Sequence, residues 1–243
     1  TLTGTITTIP VANGVTVSTG ATFALNQAAD VTSSVVITGA GGFTKLGAGN
    51  LTLSGANDYT GLTTVSEGTL TAIPGTNIPL ANAVAIASGA TFQLNLASGT
   101  ADFSGIISDV TTGGAFTKIG ATGNLTLSGT NTYTGLTTVS AGTLTGTTDS
   151  IPSTGGLNIG GAAVVFDQDS YGTYSGIISG AGGTFTKLGQ GTVALSGTNT
   201  YTGDTTVTVG ELIVTGAIAS GSTTTVAAAG TLSGNGIVGP VTN

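Results

Sequence analysis

The chemistry-bearing residues are few. There are three lysines, no arginine, ten carboxylates, no histidine and no cysteine in 243 residues. Lys45, Lys118 and Lys187 each occupy the third place of F-T-K-[LI]-G. One reading makes them a spaced row of cations for an anionic surface glycan. The other, which we expect, makes each a turn cation held by carbonyls or a neighbouring carboxylate. Asn57, Asn131 and Asn199 each stand two residues before Tyr59, Tyr133 and Tyr201. Aromatic faces can stack on sugars, so these pairs are candidate glycan contacts. The structural alternative places Asn in a tight turn and Tyr over a corner, with its hydroxyl in water.

The carboxylates behave differently from the lysines, because none recurs. Asp58 aligns with Thr132 and Thr200, and Glu67 aligns with Ala141 and Val209. Asp167 and Asp169 form the densest pair, but Tyr171 and Ile178 stand where a calcium loop needs ligands, so solvated loop acids are expected. Without His or Cys there is no imidazole base for a serine, no thiolate and none of the usual zinc ligand sets. S-x-x-K, G-x-S-x-G and phosphate-binding G-x-x-x-x-G-K-[ST] patterns are absent as well. The sequence therefore points to no enzyme, metal or cofactor. Asn50-Leu-Thr52 and Asn124-Leu-Thr126 match the N-glycosylation pattern, which is common by chance.

Something must position these residues, and composition indicates what. Charged residues make up only 5% of the chain and apolar ones 39%. Ordinary soluble domains are about a quarter charged, so Thr, Ser and Asn must keep this surface wet. Those residues, with many β-branched neighbours, suit strands. The 43 glycines follow no three-residue period and read as turns. A net charge of −7 with three cations excludes a phosphate-binding patch, so no nucleic-acid partner is expected. No apolar run approaches the roughly 18 residues of a transmembrane helix, so the segment is expected to lie outside the membrane.

Three blocks, 43–70, 116–144 and 185–212, align almost residue for residue, about seventy residues apart. Between them, Ile9-Pro10, Ile73-Pro74 and Ile151-Pro152 recur, followed by ATFALN, ATFQLN and AVVFDQ, and FSGIIS is matched by YSGIIS. Runs such as Leu51-Thr-Leu53 and Thr205-Thr-Val207-Thr-Val209 alternate with period two between turn residues, which is the pattern of short strands. Propeller blades of about 40 to 50 residues, with at least four to a ring, do not fit three such units. The expected fold is all-β: a right-handed parallel β-helix of about ten rungs, with roughly 20 to 25 residues per turn and three super-repeats of about three rungs each, its handedness being what the resemblance described next implies. The chain is expected to be one solenoid segment, 1–243, cut from a larger protein.

The stretches Asn50–Val65, Asn124–Val139 and Thr192–Val207, reading x-L-x-L-S-G-x-N-x-Y-T-G-x-T-T-V with the third copy loosest, resemble the autotransporter-associated β-strand repeat, or passenger-associated transport repeat. The tail Gly230–Asn243 resembles the glycine-rich segment that often follows it. The resemblance implies a right-handed β-helix in the exported passenger of a Gram-negative surface protein, secreted by the type V route through its own outer-membrane barrel. It implies a stalk that assists secretion by folding as it emerges and that carries adhesive or enzymatic modules. Expected partners are host or neighbouring-cell glycans or proteins, or other copies of the chain. A self-associating filament or biofilm matrix element is the alternative. An ice-binding array and a glycan-active enzyme rank below it.

Overall fold

The computed structural model describes residues 1–8 and 14–243; Ile9-Pro10, the first copy of the Ile-Pro pair, lies outside them. Among the described residues there are strands, turns and bends but no α-helix, hence none long and apolar enough to cross a membrane. Two compact units interleave along the chain. The first takes in Thr1–Leu96, Ala101–Thr117 and Gly129–Gly135; the second takes in Ala97–Thr100, Lys118–Ser128 and Leu136–Asn243.

In the first unit one face is a parallel sheet of Leu2–Gly4, Thr22–Asn26, Gly42–Leu46, Thr63–Val65, Val84–Ile86 and Ile107–Asp109, in that spatial order. Its register runs Leu2, Phe23, Phe43, Thr63, Val84, Ile107, each residue beside the next. A second face stacks Val31–Ser33, Asn50–Leu53, Thr69–Ala72 and Thr91–Asn95. Val15–Thr16 pairs with Ile37–Thr38 on a further edge. Every strand therefore bonds the strand one turn away, about 20 residues along the chain, which is the definition of a β-solenoid.

The second unit is built the same way. One stack runs Leu125, Leu144, Val164, Phe185, Thr205, Thr224 and Val241. Another runs Gly172, Val193, Leu212 and Leu232, and a third carries Thr137–Val139, Leu157–Asn158 and Ile178–Ser179. The ten-residue strand Thr205–Val214 serves two stacks: its first half pairs with Thr184–Leu188 and its second with Thr192–Leu195. The register slips between Val207 and Val209.

Alternation fixes what is inside. In Gly42–Leu46, Phe43 and Lys45 point inward while Thr44 is only half-covered, and the pattern repeats in Ala115–Ile119 and Thr184–Leu188. Inward aromatic rings contact one another up the stack: Phe23 to Phe43 at 6.2 Å, Phe92 to Phe116 at 6.1 Å, and Phe166 to Phe185 at 5.5 Å between centroids. Contacts at this range add about 0.5–1.5 kcal/mol each beyond simple burial.

Three expectations change in detail. The described residues make about 12 turns rather than about ten, because most turns close in about 20 residues, as from Phe23 to Phe43 to Thr63, and only some take more, as from Asp109 to Thr134. The super-repeat is not a whole number of turns. Phe43 opens the first block on the face shared with Phe23 and Thr63, whereas the strand of Phe116 follows the other face, through Ala115 N–H to Ala90 O at 3.0 Å. Within a copy the local pairing is kept: Leu144 stacks between Leu125 and Val164, and its counterpart Leu212 between Val193 and Leu232. Each copy has advanced by one face, since about seventy residues exceed three turns of this length. Finally, the structural partner of Ile151-Pro152 is Ile78-Pro79, not Ile73-Pro74: Ile78 and Ile151 are fully buried, while Ile73 is 42% exposed.

Candidate functional site

The nine residues singled out above lie inside the two units. Lys45, Lys118 and Lys187 are fully buried, so they form no surface row for an anionic glycan. Period-two alternation places each on the same side of its strand as the preceding Phe. Each ammonium donates to carbonyls. Lys45 Nζ reaches Leu46 O at 3.1 Å, Gly47 O at 2.5 Å and Glu67 O at 3.1 Å. Lys118 Nζ reaches Gly120 O at 3.0 Å and Ala141 O at 2.8 Å. Lys187 Nζ reaches Leu188 O and Gly189 O at 2.7 Å, Val209 O at 3.2 Å and Gln168 O at 3.5 Å. In every copy one acceptor lies two residues on and another lies one full turn on. The side chain thus ties the end of its own strand to the corner above.

Burial pulls all three ammonium groups below the usual lysine range. Glu67 and Asp30 oppose the shift at Lys45, and Asp167 and Asp169 oppose it at Lys187.

The asparagines bridge turns in the same manner. Asn57 Oδ1 accepts from Ile37 N at 2.8 Å, and its Nδ2 donates to Asn77 O at 2.6 Å. Asn131 Oδ1 accepts from Ile107 N at 2.7 Å. Asn199 Oδ1 accepts from Ile178 N at 2.9 Å and Nδ2 donates to Ala217 O at 2.9 Å. An amide has both a donor and an acceptor, so one side chain can satisfy a turn on either side.

Tyr59, Tyr133 and Tyr201 are fully buried, which removes their rings from any stacking on sugar. The hydroxyls are not in water either. Tyr59 Oη lies 2.7 Å from Thr63 Oγ1 and Tyr201 Oη 2.5 Å from Thr205 Oγ1. Burial pushes both phenols up to about 12, with the threonine hydrogen bond opposing. These buried threonines were missed by sequence reasoning, though Y-x-x-x-T recurs at Tyr59, Tyr133 and Tyr201.

Asp167 and Asp169 are exposed, and Asp169 Oδ1 caps Gln190 N at 3.0 Å. Asp30 does the same for Asn50 N at 2.8 Å. Asp109, also missed, accepts from the backbone of Gly113, Gly114 and Thr134. Among the described residues no three of His, Cys, Asp and Glu gather as a metal site. The surface does hold a concavity of about 230 Å³ in the first unit, lined by Thr52, Leu53, Thr71, Ile73, Thr76 and Asn95 among others.

Parallel stacked turns, a buried Lys, Asn and Tyr in every repeat and a hydroxyl-rich exterior define a repetitive β-solenoid of the passenger type. The family model of the passenger-associated-transport-repeat matches residues 43–72, 116–145 and 185–214. The chain is 37% identical over 236 residues to the adhesin BmaC autotransporter of Brucella suis biovar 1 (strain 1330), covering 70% of this chain and 7% of that protein. It is 50% identical over 70 residues to an extracellular serine protease of Serratia marcescens, covering 29% of this chain and 6% of that protein. The chain thus spans 7% or less of the length of these curated relatives. No solved structure matches it. The chain carries three passenger-associated transport repeats and is autotransporter passenger sequence, surface-exposed or secreted.

Proposed function

We propose that this segment is a non-enzymatic stalk and folding unit of a larger autotransporter, carrying surface-binding parts away from the cell and helping draw the passenger outward as it folds. One observation carries the reading: each strand bonds the strand a single turn away, so every turn offers a complete template for the next. Folding that needs only nearest-neighbour pairing can start at one place and propagate. A chain leaving a narrow pore is well suited by this, since each new turn docks on the last and resists return. An adhesive role for the whole protein agrees with the name of the Brucella relative. The protease relative shares only a short repeat stretch, and this chain has no histidine for a serine triad.

The test places the chain between a secretion signal and an outer-membrane barrel, with an epitope at its start. Surface display of the epitope is expected for the natural sequence and a marked fall for Leu51→Asp with Leu125→Asp, which charges two fully buried positions. Equal display of both would defeat the folding role, and hydrolytic activity of the purified chain would defeat the non-enzymatic one.

A further inference from the structure

The first and second repeats differ at one point, and a concavity lies there. Gly146 ends the strand Thr143–Gly146, and a Cβ on it would stand 2.9 Å from Ile151 Cγ1, so the buried Ile151 fills the space beside the strand end. At the matching position the first repeat has Ala72, whose methyl takes that room. Its connection to the Ile-Pro pair is one residue longer, Ile73 to Asn77 against Thr147 to Ser150. Ile73 is turned outward and Asn77 closes the loop, accepting from Ile73 N at 3.1 Å and donating to Gly55 O at 3.0 Å. An open hollow of about 230 Å³ lies beside this longer loop, while Ile78, the counterpart of Ile151, is fully buried.

Its lining has a definite chemistry. Leu53, Ala72 and Ile73 make an aliphatic wall; Thr52, Thr76 and Asn95 surround it. Those three polar side chains make no hydrogen bond among the described residues, and no ionisable group lines the hollow. We propose that it is a binding site for one neutral sugar residue, whose C–H face would lie on the aliphatic wall while its hydroxyls bond Thr52, Thr76 and Asn95. A charged ligand would find no counter-ion there, and drug-sized ligands need about 300 Å³ or more. The proposal is independent of the stalk role.

The isolated 243-residue chain, isotopically labelled, would be titrated with galactose, glucose and N-acetylglucosamine, with N-acetylneuraminate as the anionic comparison, while NMR follows the Leu53, Ala72 and Ile73 methyls. Saturable shifts confined to this hollow are expected with at least one neutral sugar, at millimolar strength. Gly146 and Ile151 serve as the internal comparison and should stay still. Asn95→Ala should weaken binding about threefold to tenfold, as loss of one neutral hydrogen bond does. Thr76→Val, on the exposed loop, gives a second variant should the first misfold. Absence of saturation, equal shifts at Ile151, equal binding of the anionic sugar, or unchanged affinity in well-folded variants would each overturn the site. Loss of display in the secretion test leaves it standing, and its own failure leaves the stalk role standing.

Discussion

Lys45 Nζ lies 3.1 Å from the carbonyl oxygen of Glu67, twenty-two residues away in sequence and one turn away in space. Removing the ammonium while keeping an apolar stem, as in Lys45→Met, takes the ammonium donor from Gly47 O and Glu67 O, while Leu46 O keeps Gln27 N–H. Each unsatisfied buried acceptor costs about 1–3 kcal/mol, so the variant should lose at least that much stability in urea unfolding. The same change at Lys187 takes the ammonium donor from Gly189 O and Val209 O, while Leu188 O and Gln168 O keep backbone donors, so a similar cost is expected. Stability unchanged in either variant would remove the tie between turns.

The alkaline limb of stability follows from opposing groups. The lysines' folded pKa values are depressed, so the unfolded chain holds their protons more tightly, and their contribution grows as pH rises toward 10.5. Tyr59 and Tyr201 work the other way, raised from 10.0 to about 12 by burial. Their stabilisation is present below about 10 and is lost as pH rises through about 12, by roughly 2–3 kcal/mol per residue. Unfolding measured across this range should show a maximum near the crossover and a steep fall beyond it. Tyr59→Phe should make the fall shallower, whereas an unchanged fall would contradict the assignment.

Asn57 joins Ile37 N–H to Asn77 C=O, so Asn57→Ala should expose the cost of both partners at once, about 2–4 kcal/mol. Asn57→Asp should keep the bond from Ile37 and lose the one to Asn77. Hydrogen exchange at the Ile37 amide would then remain slow in the aspartate variant and become fast in the alanine variant. Equal exchange in the two would rule out the bridge.

Close approach of turns sets a limit on side-chain size. A Cβ on Gly183 would fall on the carbonyl oxygen of Ile159 in the turn below. Gly183→Ala should therefore cost about 3 kcal/mol or more, as overpacking does, whereas Gly161→Ala meets no neighbouring atom within 4 Å and should show mainly the strain of its positive φ of 72°. Thermal unfolding of the pair checks the order.

The sequence by itself determined the strands and turns, the seventy-residue super-repeat and the poverty of catalytic groups, because alternation, glycine placement and residue type are local facts. It also held the parity that puts Lys45 on the side of Phe43, and Asn57 on the side of Tyr59. What only the tertiary structure decided is which distant atoms those side chains meet. Lys45 reads as a turn cation held by carbonyls, but only the fold shows that one of them is Glu67 O a full turn away, and Tyr59 looks half-wet until the turns close around it. Period alone could not count the turns or separate Ile78 from Ile73, since both depend on how many residues one circuit of the backbone uses. Stacking fixes that number, and with it the hollow beside Leu53, Ala72 and Ile73.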